Sequence, residues 1–113
     1  MSPAPALTLV VVRCRDLEQS RRFYQAIGLI LTAEQHGTGP LHYSSQLGAT
    51  VLELYPASDA PSNVRLGVCV TDVRATLESI HAVGGRVERE PTAQVKTAVV
   101  RDPDNNPVEL SPA

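Results

Sequence analysis

Aromatic side chains are scarce in this chain, which has three tyrosines, one phenylalanine and no tryptophan. Aromatic rings supply much of the contact area when a protein holds a large planar molecule. The single phenylalanine, Phe23, lies in a segment with helical periodicity, which predicts that it packs in the core. We therefore expect no site that sandwiches a large planar ligand.

A strong excess of one charge is also missing. The chain has ten Lys and Arg residues and twelve Asp and Glu residues, which gives a net charge of -2. Nucleic acids and anionic membranes are bound by clustered Lys and Arg, so neither is an expected partner. The longest apolar run, residues 7–12, is far shorter than the roughly 20 residues that span a bilayer. No basic region precedes this run, so it is not predicted to be a signal peptide.

Cysteine is rare as well, with two residues. With no membrane span or secretion signal predicted, we expect a cytoplasmic location in which both thiols stay reduced. Hydrophobic residues make up 42% of the chain and charged residues 19%, which is typical of a folded domain. A length of 113 residues predicts a single domain, residues 1–113, with one modest core.

What the sequence does contain is an internal repeat. A shift of 56 residues places "LELYPA" at 52–57 on "VELSPA" at 108–113. The same shift aligns further identical pairs along the chain: Val12 with Val68, Asp16 with Asp72, Gly28 with Gly84 and Glu53 with Glu109. One offset holds from the first strand to the last, so we predict two modules, 1–57 and 58–113, joined at the turn-rich "PASDAPSN".

Each module predicts the element order βαβββ. It opens with a short run rich in β-branched residues, "LTLVVVRC" or "VRLGVCV", which is typical of a buried strand. A helix follows, with an Asp at the N-cap and Gly at its end. Three strands are predicted after each helix, at 29–35, 41–46 and 49–55 in the first module and at 86–89, 95–101 and 107–111 in the second. The last two are joined by "DPDNNP", a strong turn signal in which Asn105 and Asn106 can take positive φ angles.

These features resemble the vicinal oxygen chelate superfamily, which includes glyoxalase I, bleomycin- and fosfomycin-resistance proteins and extradiol dioxygenases. The resemblance lies in the paired βαβββ modules, the helix "DLEQSRRFYQAIGL" and the closing "DPDNNPVEL". It implies an α+β fold in which two four-stranded sheets curl around a shared cleft, commonly in a homodimer. It leaves the reaction open, because one such scaffold hosts lyases, dioxygenases, thiol transferases and pure binding proteins.

Strand parity predicts which side chains line the cleft, because alternate residues of a strand point to opposite faces. The more apolar face of each strand should pack on the helices. The other face then carries the candidate ligand-binding residues, namely Leu9, Arg13, Glu53, Tyr55, Arg65 and Glu109. Cys14 and Cys69 fall on opposite faces, so no disulfide between them is expected.

The resemblance also assigns four positions to a divalent metal in metal-dependent members of the superfamily, and here they are Leu9, Glu53, Arg65 and Glu109. Leucine has no lone pair, and a guanidinium is always protonated and repels a cation. We therefore expect no metal cofactor at these positions. A metal would need a rearranged site that uses Glu53 and Glu109, with His42 as a further candidate ligand.

Arg65 offers a fixed positive charge where metal-dependent relatives hold a metal, with Glu53 or Glu109 as its partner. Such a pair could position an anionic or carbonyl-bearing ligand, and a freed Glu109 carboxylate could act as a general base. The alternative is that Glu109 is a residue of the fold that Arg65 merely neutralises.

Other polar residues have simpler explanations. His42 could line the cleft or replace a missing ligand, but a strand histidine is more often hydrogen-bonded or exposed. His36 and His81 are predicted to lack partners at ligand spacing. Cys69 could be a thiol of the cleft, although a small core residue is the more common case. Tyr43 and Tyr55 could stack on a ligand.

Two functions follow from these residues. The first is a small-molecule-binding protein of the bleomycin-resistance type that uses the cleft of a homodimer without the usual metal, although the scarcity of aromatic residues argues against bleomycin itself. The second is a metal-dependent enzyme of the glyoxalase or dioxygenase type, acting on a vicinal oxygen or carbonyl substrate. A cleft filled by side chains, in an interaction module, is a third interpretation.

Overall fold

The protein is described by a computed structural model that covers residues 3–113. It has two α-helices and eight β-strands in the described range. In chain order they are β1 (Leu9–Cys14), α1 (Leu17–Ile27), β2 (Thr32–Glu34), β3 (His42–Leu47), β4 (Thr50–Pro56), β5 (Leu66–Val70), α2 (Val73–Ala82), β6 (Arg86–Arg89), β7 (Ala98–Arg101) and β8 (Pro107–Pro112). The order βαβββ therefore occurs twice, as the repeat predicts.

Each module forms its own four-stranded sheet with the same topology. Sheet A has the strand order β1-β4-β3-β2, and sheet B has the order β5-β8-β7-β6. The opening and closing strands of a module pair in parallel, with Val11 beside Glu53 in sheet A and Gly67 beside Glu109 in sheet B. The remaining pairs are antiparallel. Residues related by the repeat therefore occupy equivalent places in the two sheets.

Both helices begin at the predicted capping residue. The Asp16 carboxylate accepts a hydrogen bond from the backbone N–H of Gln19, and Asp72 accepts one from Ala75, both at 3.1 Å. These bonds satisfy backbone donors that have no partner inside a helix. Helix α1 ends at Gly28, whose φ of 120° is unfavourable for a residue with a side chain.

The burial of alternate residues confirms the predicted strand parity. Val12 and Cys14 of β1 and Leu52 and Leu54 of β4 are at most 5% exposed. They belong to one hydrophobic cluster that also includes residues of both helices and of sheet B. The opposite face of each sheet, here called the open face, carries more exposed and more polar side chains. The whole molecule is flat, with extents of 49 × 47 × 23 Å.

The turn "DPDNNP" links the two modules. Asp102, which is 1% exposed, accepts a 2.8 Å hydrogen bond from the Tyr24 hydroxyl of α1. Its carboxylate also accepts the backbone N–H of Asp104 and the backbone and side-chain N–H groups of Asn106. Asn105 takes a φ of 70°, as predicted, whereas Asn106 does not have a positive φ. The turn therefore acts as a buried polar contact between modules as well as a hairpin.

Two strands are shorter than predicted. Residues 29–31 are not in β2, because the backbone N–H of Leu29 bonds to Tyr24 and completes the end of α1. Residues 95–97 are not in β7, because Val95 closes a loop with Thr92.

Cys69 is exposed, so the expectation of a buried core thiol there is wrong. Among the described residues, no helix is long and apolar enough to cross a membrane.

Candidate functional site

The open face of sheet A carries a row of polar and aromatic side chains that crosses all four strands. Arg13 of β1 is beside Tyr55 of β4 in the strand register. Tyr55 stacks on His42 of β3, which is directly paired with Glu34 of β2. Cross-strand neighbours on one face lie within side-chain contact, so these four residues form one continuous row, in which His42 itself is buried.

The centre of this row is a stack of three side chains. The rings of Tyr55 and His42 are nearly parallel, with centroids 4.1 Å apart and an angle of 8° between their planes. The guanidinium carbon of Arg13 lies 4.9 Å from the centroid of the Tyr55 ring, within the range of a cation–π contact. No salt bridge among residues 3–113 uses Arg13, so its charge remains available to an anion.

Carboxylates border the other side of the stack. The Nε2 atom of His42 lies 3.4 Å from Oε1 of Glu34 and 3.7 Å from Oε2 of Glu53. The Glu53 side chain is 18% exposed, whereas that of Glu34 is 38% exposed. Sheet A therefore presents a cation at one end of an aromatic platform and two carboxylates at the other end.

The open face of sheet B has a simpler arrangement. Arg65, just before β5, lies with its Nη2 atom 3.5 Å from Oε2 of Glu109 on β8. Their side chains are 68% and 39% exposed, so water screens this pair and its contribution to stability is small. Of the two partners considered for Arg65, Glu109 is the one in contact. No salt bridge in the described part of the chain joins Arg65 to Glu53.

The four positions that the superfamily uses for a metal do not suit one here. Leu9 is 51% exposed on the open side of β1 and offers no donor atom. Arg65 already brings a positive charge beside Glu109. A divalent ion at these positions would have only two carboxylates from the chain and would be repelled by a guanidinium.

Tyr43 does not belong to the open face, so the suggestion that it stacks on a ligand is wrong. It is paired with Leu54, which faces the helices, and its hydroxyl donates a hydrogen bond to the Glu18 carboxylate of α1. This hydrogen bond raises the pKa of Tyr43 and lowers the pKa of Glu18. Tyr43 therefore joins sheet A to its helix.

Two polar residues near His42 were missed by the sequence analysis. His36 lies in the loop after β2, and its ring centroid is 5.2 Å from that of His42. The expectation that His36 lacks partners at ligand spacing is therefore wrong. Glu34 is not among the predicted site residues, because its pairing with His42 depends on the register of the β2–β3 hairpin. The segment "EQH" followed by a histidine six residues later was the available signal.

Comparison with known proteins places this geometry in context. Residues 9–111 match the family described as the glyoxalase-like domain. A probable lactoylglutathione lyase from Vibrio cholerae serotype O1 is 31% identical over 119 residues, which cover 88% of this chain and 85% of that protein.

Solved structures agree with the fold. A hypothetical protein from S. aureus, SA1046, has a TM-score of 0.72 at 23% identity, with 97% of each chain covered. TnmS3, an antibiotic binding protein from Streptomyces sp. CB03234, has a TM-score of 0.71 at 25% identity, with 100% of each chain covered. The predicted α+β fold of two repeated modules is thereby confirmed.

Proposed function

The chain belongs to the glyoxalase-like domain family, and on that premise we propose that it binds a small molecule on the open face of sheet A. The proposal places no metal at Leu9, Glu53, Arg65 and Glu109, since those residues do not suit one. The scaffold alone does not select this function, because related scaffolds support both binding and catalysis.

The observation that carries the proposal is the stack of Arg13, Tyr55 and His42. An exposed guanidinium without an ionic partner can bind a carboxylate through two parallel hydrogen bonds. The Tyr55 ring is stacked between His42 and Arg13, so it offers its edge, and not a face, to the apolar part of a ligand. A ligand with a small flat body and a carboxylate or carbonyl oxygen would satisfy both, with Glu53 available to accept a hydrogen bond from it.

Two further observations support binding of a small ligand. TnmS3, which is similar over its whole length, is described as an antibiotic binding protein. The scarcity of aromatic residues in this chain favours a ligand of modest size over a large planar drug. Under this proposal Arg65 and Glu109 on sheet B do not contact the ligand, and Glu109 is not a catalytic base.

An open sheet face is not a closed pocket, and ligand sites usually cover most of the molecule they hold. We therefore also propose that a second copy of this chain covers the open face. Leu9, at 51% exposed, lies on that face and is the kind of apolar residue that such a contact would bury.

Benzoate is a suitable probe, because it combines a small ring with a carboxylate. Saturation-transfer NMR on the full chain should show benzoate binding to the wild type. The Arg13→Gln variant should bind it about tenfold more weakly, because a charge-assisted hydrogen bond is lost. Arg22→Gln, which changes an exposed arginine of α1, is the matched control and should bind benzoate as the wild type does. Equal binding by the Arg13 and Arg22 variants would overturn the proposal.

A second candidate function is a metal-dependent lyase, which is favoured by the 31% identity to a probable lactoylglutathione lyase. Formation of lactoylglutathione, followed through the absorbance of its thioester, tests this alternative in the presence of added Zn²⁺, Ni²⁺ or Mn²⁺. Turnover that is abolished by Glu109→Gln would favour the lyase over the binding protein. We expect no turnover, because two of the four metal positions lack a suitable ligand.

A further inference from the structure

His42 has the ring contacts of a histidine that binds a metal. It is 1% exposed, and its Nδ1 atom lies 3.2 Å from the carbonyl oxygen of Pro40. A carbonyl oxygen can only accept, so Nδ1 of the neutral ring carries the hydrogen and Nε2 keeps its lone pair. Metal-binding histidines are commonly fixed in this manner by a hydrogen bond from the other ring nitrogen.

Tyr55 does not occupy the lone pair of Nε2. The Tyr55 hydroxyl lies 3.3 Å from Nε2, but the two rings are stacked at 8° to each other. The lone pair lies in the plane of the imidazole, whereas the hydroxyl oxygen lies in the plane of the neighbouring phenol. The lone pair is therefore left for groups at the edge of the His42 ring.

Two carboxylates are found near that nitrogen. Glu34 and Glu53 place oxygen atoms 3.4 Å and 3.7 Å from Nε2. A neutral Nε2 and a carboxylate oxygen are both acceptors, so their approach is unfavourable unless a cation lies between them. A divalent metal ion is such a cation, and a further donor side chain nearby favours it.

His36 adds a second imidazole to the same place. One donor atom each from Glu34, His36 and His42 lie within 4.8 Å of one another. In a tetrahedral site with bonds of about 2.1 Å, neighbouring donor atoms are about 3.4 Å apart. Rotation of the exposed His36 and the partly exposed Glu34 can close this difference, while His42 stays fixed. Within residues 3–113 this is the only such group of three or more His, Cys, Asp or Glu residues.

We propose that Glu34, His36 and His42 bind a divalent transition metal ion such as Zn²⁺, with Glu53 as a fourth ligand or as a hydrogen-bonding neighbour. Imidazole nitrogen and carboxylate oxygen are suitable donors for this class of ion, whereas Mg²⁺ and Ca²⁺ prefer oxygen alone. The site uses β2, the loop after it and β3. It differs from the four positions of metal-dependent relatives, with which it shares only Glu53.

Metal binding alone tests this site, so the result does not depend on the small-molecule ligand proposed above. The full chain, freed of metal with a chelator, is titrated with Zn²⁺ by calorimetry and with Co²⁺ by visible absorption. We expect one ion per chain and a Co²⁺ spectrum typical of tetrahedral nitrogen and oxygen coordination.

Variants of the exposed ligands keep the test independent of folding. His36→Ala and Glu34→Gln should each weaken Zn²⁺ binding at least about tenfold, with an unchanged circular dichroism spectrum. His81→Ala, on the exposed side of α2, is the matched control and should bind Zn²⁺ as the wild type does. The proposal is overturned if the wild type binds no Zn²⁺, or if His36→Ala and His81→Ala bind it equally well.

Discussion

Tyr24 and Asp102 form the buried polar contact between the two modules. The Tyr24 side chain is fully buried, and burial raises the pKa of its hydroxyl. It donates to a carboxylate that also accepts three N–H groups from its own turn. Helix α1 is therefore joined to the turn between β7 and β8 by a hydrogen bond that water does not screen.

Removal of the Tyr24 hydroxyl should weaken the contact between the modules without leaving a large cavity in the core. Tyr24→Phe should lower the free energy of unfolding by about 1–2 kcal/mol, because Asp102 keeps its other donors. Asp102→Ala should cost more, since it leaves several buried donors unpaired. Urea unfolding followed by circular dichroism measures both variants. A Tyr24→Phe protein as stable as the wild type would show that the hydroxyl contributes nothing to the junction.

Cys14 makes the free energy of unfolding depend on pH in the alkaline range. Burial raises the pKa of its thiol from 9.0 to about 11. The folded state therefore holds the proton more tightly than the unfolded state, and the stabilisation is fully present below pH 9.0 and is lost as the pH rises toward 11. Between about pH 8 and pH 10, the free energy of unfolding should fall by about 1 kcal/mol from this thiol.

Tyr24 also lowers the free energy of unfolding as the pH rises, because the pKa of its hydroxyl is raised in the folded state as well. The part due to the thiol is isolated with Cys14→Ala, which should show a smaller decline over that pH interval than the wild type. Identical declines in the two proteins would mean that Cys14 ionises equally easily in the folded and unfolded states.

The sequence predicts which face of a sheet a side chain lies on better than it predicts which other side chains it contacts. Alternation along β1 and β4 correctly placed Leu52 and Leu54 toward the helices. It could not show that His36 and Glu34 meet His42, because that contact depends on hairpin register and on a loop conformation. It also left the side of Tyr43 undetermined, because the strand around Tyr43 has no clear alternation of apolar residues.

Helix α2 ends where the chain passes very close to it. A Cβ atom added to Gly85 would lie 2.4 Å from Cγ2 of Ile80 and 3.0 Å from its carbonyl oxygen. Ile80 is fully buried, so it has little room to move away. The glycine pair after α2 is thus required by packing as well as by the backbone turn.

A methyl group at this position should therefore be costly. Gly85→Ala should lower the free energy of unfolding by about 1–3 kcal/mol, as expected for overpacking. Gly67→Ala in β5 is the control, because its added methyl would have no atom within 4 Å. Thermal unfolding of both variants measures the difference. If Gly67→Ala were as destabilised as Gly85→Ala, the close approach to Ile80 would not be the cause.

The order and type of the elements follow from the sequence because the repeat reports them twice. The ends of β2 and β7 do not follow from it. Residues 29–31 have the composition of a strand, yet a hydrogen bond from Leu29 back to α1 keeps them out of the ladder. Such local competition between a helix end and a strand is decided by hydrogen bonds that side-chain patterns do not report.

The flat shape of the molecule leaves the open faces of both sheets without a covering layer from the helices. Stable domains usually bury a sheet between layers, or pair it with another chain. This shape, together with the exposed Leu9 on sheet A, is the basis on which we propose a homodimer. A closed ligand site would then require two copies.

Light scattering coupled to size exclusion should therefore give the mass of a dimer. Leu9→Glu should shift the protein toward the monomer, because a buried charge without a partner is costly. Val83→Glu, at a similarly exposed apolar residue after α2, should leave the dimer intact. A monomeric wild type would leave the open face uncovered and would contradict the proposed assembly.

The central claim is that the functional site is on the open face of sheet A and not on sheet B. Amide chemical shifts of the isotope-labelled full chain, followed during titration with benzoate, test it most directly. The account predicts shifts at Arg13, His42 and Tyr55, with little change at Glu109. Shifts confined to the strands around Arg65 and Glu109, with sheet A unchanged, would contradict it.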